Sequence, residues 1–210
     1  PLSAEELATL RAGDDVATTN EDTPVTIPVL ANDNDPDGDP LIVTSATSPD
    51  GTVVINPDGT ITFTPAPNFI GTTTITYAIS DGNGGTATAT VNVTVNPVND
   101  APTNDTPFPA QTNVDSAVVS VATAANFSDL DGDTLTFSAV GLPDGLSIAP
   151  ATGPITGTSN AAASQTNGGL YSVTVTVSDG NGGTVSSTFN WTVTNPPPVA
   201  ANDVASTNED

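Results

Sequence analysis

Two short runs of carboxylates hold the residues best placed to do chemistry in this chain. They are Asp33-Asn34-Asp35-Pro36-Asp37-Gly38-Asp39-Pro40 and Asp129-Leu130-Asp131-Gly132-Asp133. In each run acids alternate with small or turn-forming residues, so several carboxylates share one loop. Carboxylates this close repel one another unless something positive sits among them. The chain holds 24 Asp and Glu against a single basic residue, Arg11, and no His, for a net charge of −23. The counter-charge must come from solution. Flexible, oxygen-only loops suit a hard cation with about six to eight oxygen ligands, which makes Ca²⁺ the expected ion. Asp, Asn and Gly are also ordinary turn formers. Asp58-Gly59 and Asp144-Gly145 lack companion carboxylates and read as turns alone; Asp81 and Asp179 fit either role.

Composition removes several function classes. Phosphate backbones and anionic membranes are recognised through Lys and Arg, so binding to nucleic acid is excluded. No apolar run is long enough for membrane insertion as a helix, and no signal peptide is visible. With no Cys and no Lys, neither disulfides nor Lys–Asn cross-links can staple the fold. A metal can take that part. Without His, Cys or Lys no nucleophile–base pair can be assembled. A two-carboxylate glycosidase needs a cleft with gripping aromatics, and aromatic content is 4%. The chain is not expected to be an enzyme.

The elements that must position the acidic loops are β-strands. Low hydrophobicity with high charge often means disorder, but here the apolar residues alternate. Val25-Thr26-Ile27 leads towards the first acidic loop and Leu41-Ile42-Val43 leaves it. Val53–Ile55 and Ile61–Phe63 flank the turn Asn56-Pro57-Asp58-Gly59, a hairpin signal. Ile75, Tyr77 and Ile79 then share one face, as do Ala87, Ala89, Val91, Val93 and Val95. The second half repeats the plan with Val118–Val121, Leu135–Phe137, Leu142–Ile148, Gly153–Thr158, Tyr171–Val177 and Val185–Val193. Trp191, Tyr77 and Tyr171 lie on alternating apolar faces and read as core. About seven short strands per half predict an all-β fold of two antiparallel sandwiches.

Internal repeats set the organisation. Asp81-Gly82-Asn83-Gly84-Gly85-Thr86 recurs as Asp179-Gly180-Asn181-Gly182-Gly183-Thr184. Asp15-Val16-Ala17-Thr18-Thr19-Asn20-Glu21-Asp22 nearly recurs as Asp203 to Asp210. The expected division is a linker or short helix over 1–13, where Ser3 and Glu6 form a capping box, then repeats over 14–100 and 101–198. Residues 199–210 read as the first strand of a further repeat. Pro97 and Pro102 limit the freedom of the linker Pro97-Val98-Asn99-Asp100-Ala101-Pro102.

These motifs carry a family resemblance. Thr19–Thr23, Ala31–Asp35, Asp37-Gly38-Asp39, Pro57–Thr60, Phe63-Thr64-Pro65, Asp81–Gly85 and Val98–Pro102 resemble the cadherin-like, VCBS-type repeats of very large bacterial surface proteins. Asp129–Leu135, Gly141–Leu146 and Thr152–Thr158 resemble the dystroglycan-type cadherin-like, immunoglobulin-like group. The resemblance covers about residues 14–198. It implies tandem immunoglobulin/cadherin-like sandwiches in an extracellular adhesin, stiffened by Ca²⁺ at domain junctions. On such a sandwich Asp15, Asp33, Asp35, Asp37, Asp39 and Asp81 meet at the top of the first repeat. Glu21, Asp22, Asn99, Asp100, Asp129, Asp131, Asp133 and Asp179 meet at the junction. Asp115 is expected to pair with Asn202 and Asp203 below the second repeat. The Asp-Arg-Glu motif of cadherins has no counterpart; the corresponding stretch is Pro65-Ala66-Pro67-Asn68. Expected partners are neighbouring repeats of the same chain. The alternative functions are a glycan- or protein-binding module, for which loop 159–169 is the candidate, or repeats that associate homotypically into fibres.

Overall fold

The computed structural model describes residues 10–198. The short helix expected near Ser3 and the strand expected over 199–210 lie outside the described residues. The chain forms two compact units, with the boundary between Val98 and Asn99.

The first unit has seven strands: β1 (Asp15–Asn20), β2 (Val25–Ile27), β3 (Ile42–Thr47), β4 (Gly51–Ile55), β5 (Ile61–Pro65), β6 (Gly71–Ser80) and β7 (Thr86–Asn96). One sheet runs β1-β7-β6-β3 and the other β2-β5-β4. All pairings are antiparallel except β1 with β7, which run parallel from Asp15↔Val91 to Asn20↔Asn96. The period-2 alternation sends Ile75, Tyr77 and Ile79 of β6 and Ala89, Val91, Val93 and Val95 of β7 inward, against Ile61 and Phe63 of β5. Each buried Val, Ile or Phe side chain among these contributes about 1.5–3 kcal/mol through burial. Thr takes the outward positions, where its branched Cβ favours the extended chain.

Residues 10–13, which composition assigns to the leading segment, belong to this unit. Leu10 is 5% exposed within the core cluster, and Arg11 pairs with Asn34 by two backbone hydrogen bonds of 3.0 and 2.9 Å. One leucine anchors the segment, too little apolar periodicity to be read from sequence.

The second unit comprises β8 (Thr103–Asn104), β9 (Gln111–Val114), β10 (Val118–Val121), β11 (Phe127–Ser128), β12 (Thr136–Val140), β13 (Leu146–Ile148), β14 (Ile155–Thr158), β15 (Leu170–Ser178) and β16 (Thr184–Thr194). Its main sheets, β12-β15-β16-β9 and β10-β14-β13, repeat the topology of the first unit, including the parallel pair of β9 with β16. A short β8–β11 pair is added at the entry end. Here the core is aromatic. Phe108, Phe127, Phe137, Phe189 and Trp191 form a chain of ring contacts with centroids 5.0–6.2 Å apart. Trp191 donates its Nε1–H to Asn113 Oδ1 at 2.6 Å, which satisfies its polar edge inside the core.

Ile155, fully buried in the middle strand of β10-β14-β13, gives a direct check. Ile155→Ala should lower stability by about 2–5 kcal/mol, read in urea by the emission of Trp191, the chain's single tryptophan.

Candidate metal centre

The acidic loop of the second unit is built by its own backbone. Gly132 sits at φ +76, and its N–H donates to the Asp129 carbonyl at 3.4 Å. That left-handed conformation is available to glycine without strain. Asp129 Oδ1 accepts the Asp133 N–H at 3.1 Å, closing the loop. Leu130 is turned out, 62% exposed. The carboxylates of Asp129, Asp131 and Asp133 face one another, each offering an oxygen within 4.8 Å of the other two.

Partners around this triad hold it in place. Asp131 Oδ2 accepts the Asp100 N–H at 2.7 Å, and Asp133 Oδ2 accepts the Asn181 amide at 2.7 Å. Asp179 is buried and gathers the Asn99 amide at 2.8 Å with the N–H groups of Asn181 and Gly183 at 2.7–3.0 Å. The Asn99 amide, followed by these backbone donors, holds Asp179 below the usual carboxylate range. Asn99, Asp100, Asp129, Asp131, Asp133 and Asp179 are thus one network at the end where the chain enters the unit. Within it Asp129 Oδ2 is buried and has no hydrogen-bond partner. A buried carboxylate oxygen without a partner is costly. Ligands about 2.4 Å from Ca²⁺ lie at most about 4.8 Å apart, so the triad fits that ion by spacing and by donor type. Soft metals would need sulfur or nitrogen ligands, which this site lacks.

The first unit repeats the loop but not the convergence. Gly38 (φ +80) donates to the Asp35 carbonyl at 3.2 Å, the Asp37 N–H to Asp35 Oδ1 at 2.7 Å, and the Asn83 amide to Asp39 Oδ2 at 2.6 Å. Asp35, Asp37 and Asp39 therefore correspond to Asp129, Asp131 and Asp133. Asp81, like Asp179, uses its carboxylate on backbone N–H groups, those of Asn83 at 2.7 Å and Gly85 at 2.9 Å. Among the described residues of this unit, no three carboxylates approach as closely as the triad does. At the exit end, Glu21 is 5% exposed and accepts the Val98 N–H at 2.6 Å, while Asp22, at φ +54, accepts the Asn68 N–H at 3.1 Å.

Asp33 has no counterpart in the second unit, where Phe127 stands at the matching position. It turns inward beside Asp15 and Tyr77. The Tyr77 hydroxyl lies 3.1 Å from Asp15 Oδ2, 3.3 Å from Asp33 Oδ1 and 2.9 Å from the Gly13 carbonyl. It has one proton to donate among them. Burial pushes the Asp15 carboxyl up, with the charges of Asp33 and Asp14 adding to it; burial does the same to Asp33. Burial and these two carboxylates push the Tyr77 hydroxyl well above its ordinary range. Asp14 is turned away to the Thr90 N–H and hydroxyl, which lower it.

Sequence reading places Tyr77 in the core and overlooks its hydroxyl. It also overlooks Asn83 and Asn181, whose amides fix Asp39 and Asp133. Their recurrence at the third position of both Asp-Gly-Asn-Gly-Gly turns was the available signal.

The raised carboxyls have a signed consequence. An acid with a folded-state value above 3.8 binds its proton more tightly folded than unfolded, so it favours the fold on the acid side. That contribution is lost as pH rises through the raised value. In chelator, stability of the first unit should fall as pH climbs from about 4 towards neutrality, and Asp33→Asn should flatten that fall. Urea melts followed by circular dichroism across this range check it; an unchanged slope in the variant would exclude the assignment.

Residues 8–94 match the family model described as Bacterial Ig domain, and residues 101–194 match the one described as Putative Ig domain. No curated protein matches the sequence. Among solved structures the chain is similar to mouse cadherin-23 EC22–24, at 18% identity and TM-score 0.57, covering 90% of this chain and 64% of that one. It is also similar to mouse clustered PcdhgC3 EC1–3, at 15% identity and TM-score 0.51, covering 90% and 68%. An endo-fucoidan hydrolase from glycoside hydrolase family 107 matches at 20% identity and TM-score 0.39, and this chain spans 30% of its length. Family models and strand topology agree: the chain carries two immunoglobulin-like repeats in tandem, with cadherin-like structural neighbours.

Proposed function

We propose that this chain is an extender segment of a larger extracellular bacterial adhesin, with no enzymatic activity, whose repeats are stiffened by Ca²⁺ at their junctions. The observation that carries this reading is the Asp129–Asp131–Asp133 triad with its unpartnered Asp129 Oδ2. The network around it includes Asn99 and Asp100, the first residues after the unit boundary. A cation there would bind the acidic loop and hold the linker residues through the same network. Without it, three carboxylates repel. Glu21, whose carboxylate grips the Val98 N–H on the other side of that peptide bond, is the ligand proposed from the first repeat. Asp22 is a weaker member, since its backbone is turned at positive φ and its carboxylate holds Asn68. Asp15, Asp33, Asp35, Asp37, Asp39 and Asp81 would serve a preceding repeat.

A second reading rests on where charge is missing. Among the described strands only β1 carries a charged residue, Asp15. The outer faces of β6, β7, β15 and β16 present mostly Thr, Ser and Asn instead, with Ala78 and the exposed Leu170 among them, so copies of a strongly acidic chain could approach side by side on these faces. Light scattering against protein and Ca²⁺ concentration separates fibres from a monomeric extender.

Extracellular modules of this kind bind Ca²⁺ at about 10⁻⁴ to 10⁻³ M. If Kd is about 10⁻⁴ M, roughly 10 mM Ca²⁺ should stabilise the chain by about 2.7 kcal/mol. Asp131→Asn should weaken binding about tenfold or more, in line with the loss of one charged ligand. Calorimetric titration and thermal melts test this, with small-angle scattering to read the maximum dimension. A chain whose melting temperature and dimension ignore Ca²⁺ is incompatible with the proposal.

A further inference from the structure

The two units end differently, and the difference decides what each end can bind. Glu21 and Asp115 are structural equivalents. Each follows the parallel first strand of its main sheet. Each donates its N–H to the last residue of the partner strand, Asn96 at 2.9 Å and Thr194 at 3.0 Å. The residue after each has positive φ, +54 for Asp22 and +62 for Ser116. Both acids are 5% exposed. Their carboxylates do different things. Glu21 grips the Val98 N–H of the departing chain. The residue matching Val98 in the second unit is Pro196, which has no N–H to offer.

Asp115 finds its donors elsewhere. Oδ1 accepts the Ser164 N–H at 2.7 Å and Oδ2 the Ser164 hydroxyl at 2.5 Å. Segment 159–169, which replaces the short connection 66–70 of the first unit, is stitched over this end. Ser159 Oγ donates to the Val114 carbonyl at 3.0 Å, and the Tyr171 hydroxyl to the Ala163 carbonyl at 2.8 Å. Gly169, at φ +78, passes so close to the Val193 carbonyl that a Cβ would lie 2.1 Å from it. The second carboxylate of the pair is also gone, since Ser116 stands where the first unit has Asp22. Both carboxylate oxygens of Asp115 are thus engaged within the unit, whereas Glu21 uses only Oε1 on Val98. Asn202 and Asp203, its expected partners, lie outside the described residues, and the loop suggested as a glycan site is tied down at Ser159 and Ser164.

We propose that the exit of the second unit is a cation-independent joint, in which Asp115 clasps loop 159–169 and stiffness passes to Pro196-Pro197-Pro198. Three consecutive prolines fix their φ angles without any ion.

This rests on the calcium reading of the preceding junction, and the test separates the two. In the full chain, Glu21→Gln should weaken Ca²⁺ binding about tenfold, whereas Asp115→Ala should leave its Kd within about twofold. Asp115→Ala should instead speed hydrogen exchange over 159–169 about tenfold, and Ser164→Ala by less, with or without Ca²⁺. Ser164→Ala also serves if Asp115→Ala fails to fold. Loss of Ca²⁺ affinity in Ser164→Ala, or exchange in this loop that Ca²⁺ slows, overturns the joint. A wild-type chain that binds no Ca²⁺ sinks the calcium reading; the clasp then stands or falls on exchange alone, and unchanged exchange in both variants refutes it.

Discussion

Twenty-four carboxylates share this chain with one basic side chain, and most of its structure follows from finding them donors. Ion pairs cannot do it. Backbone N–H groups and side-chain amides do it instead. Asp81 and Asp179 each take two N–H groups of their own turn. Asp33 takes that of Gly13, Asp131 that of Asp100, and Glu21 that of Val98. A charged acceptor makes these bonds stronger than neutral ones. Donors of this kind are free only where the chain leaves a sheet, so acids collect at the ends of each unit and, Asp15 at the start of β1 apart, the described strands stay neutral. Donors run out at Asp129 Oδ2, which is left without a hydrogen-bond partner beside two further carboxylates.

The same scaffold is used twice with different interiors. In the first unit the inward position two residues before Asp35 is Asp33, joined to the Tyr77 hydroxyl beside Asp15. In the second, Phe127 occupies it and joins a row of rings. One choice spends a buried hydroxyl on two carboxylates of raised proton affinity; the other fills the space with aromatic surface. The acidic triad is close-set in the unit with the apolar version. Divergence in the core thus accompanies divergence in the site above it.

Much of this architecture is legible in the residues themselves. Alternation of Val, Ile and aromatics against Thr marks the long strands β6, β7, β15 and β16, because one face of each is buried and the other wet. The recurring Asp-Gly-Asn-Gly-Gly turn marks the units as copies, and the alternating acids of 33–39 and 129–133 mark where carboxylates share a loop. Short elements such as β8 and β11, two residues each, have no period to detect.

Which acids act together was a matter for the tertiary structure alone. Asp35-Asp37-Asp39 and Asp129-Asp131-Asp133 look alike as text, yet only the second brings three oxygens within 4.8 Å, because side-chain direction depends on donors supplied by distant loops. Asp115 and Glu21 look equally available, yet the fold engages both oxygens of Asp115 with Ser164 and only Oε1 of Glu21 with Val98. Composition and spacing determined that acids would line the ends of two β-sandwich units. Long-range hydrogen bonds decided which of them remain for an ion, since a carboxylate's availability depends on the donors within reach of it.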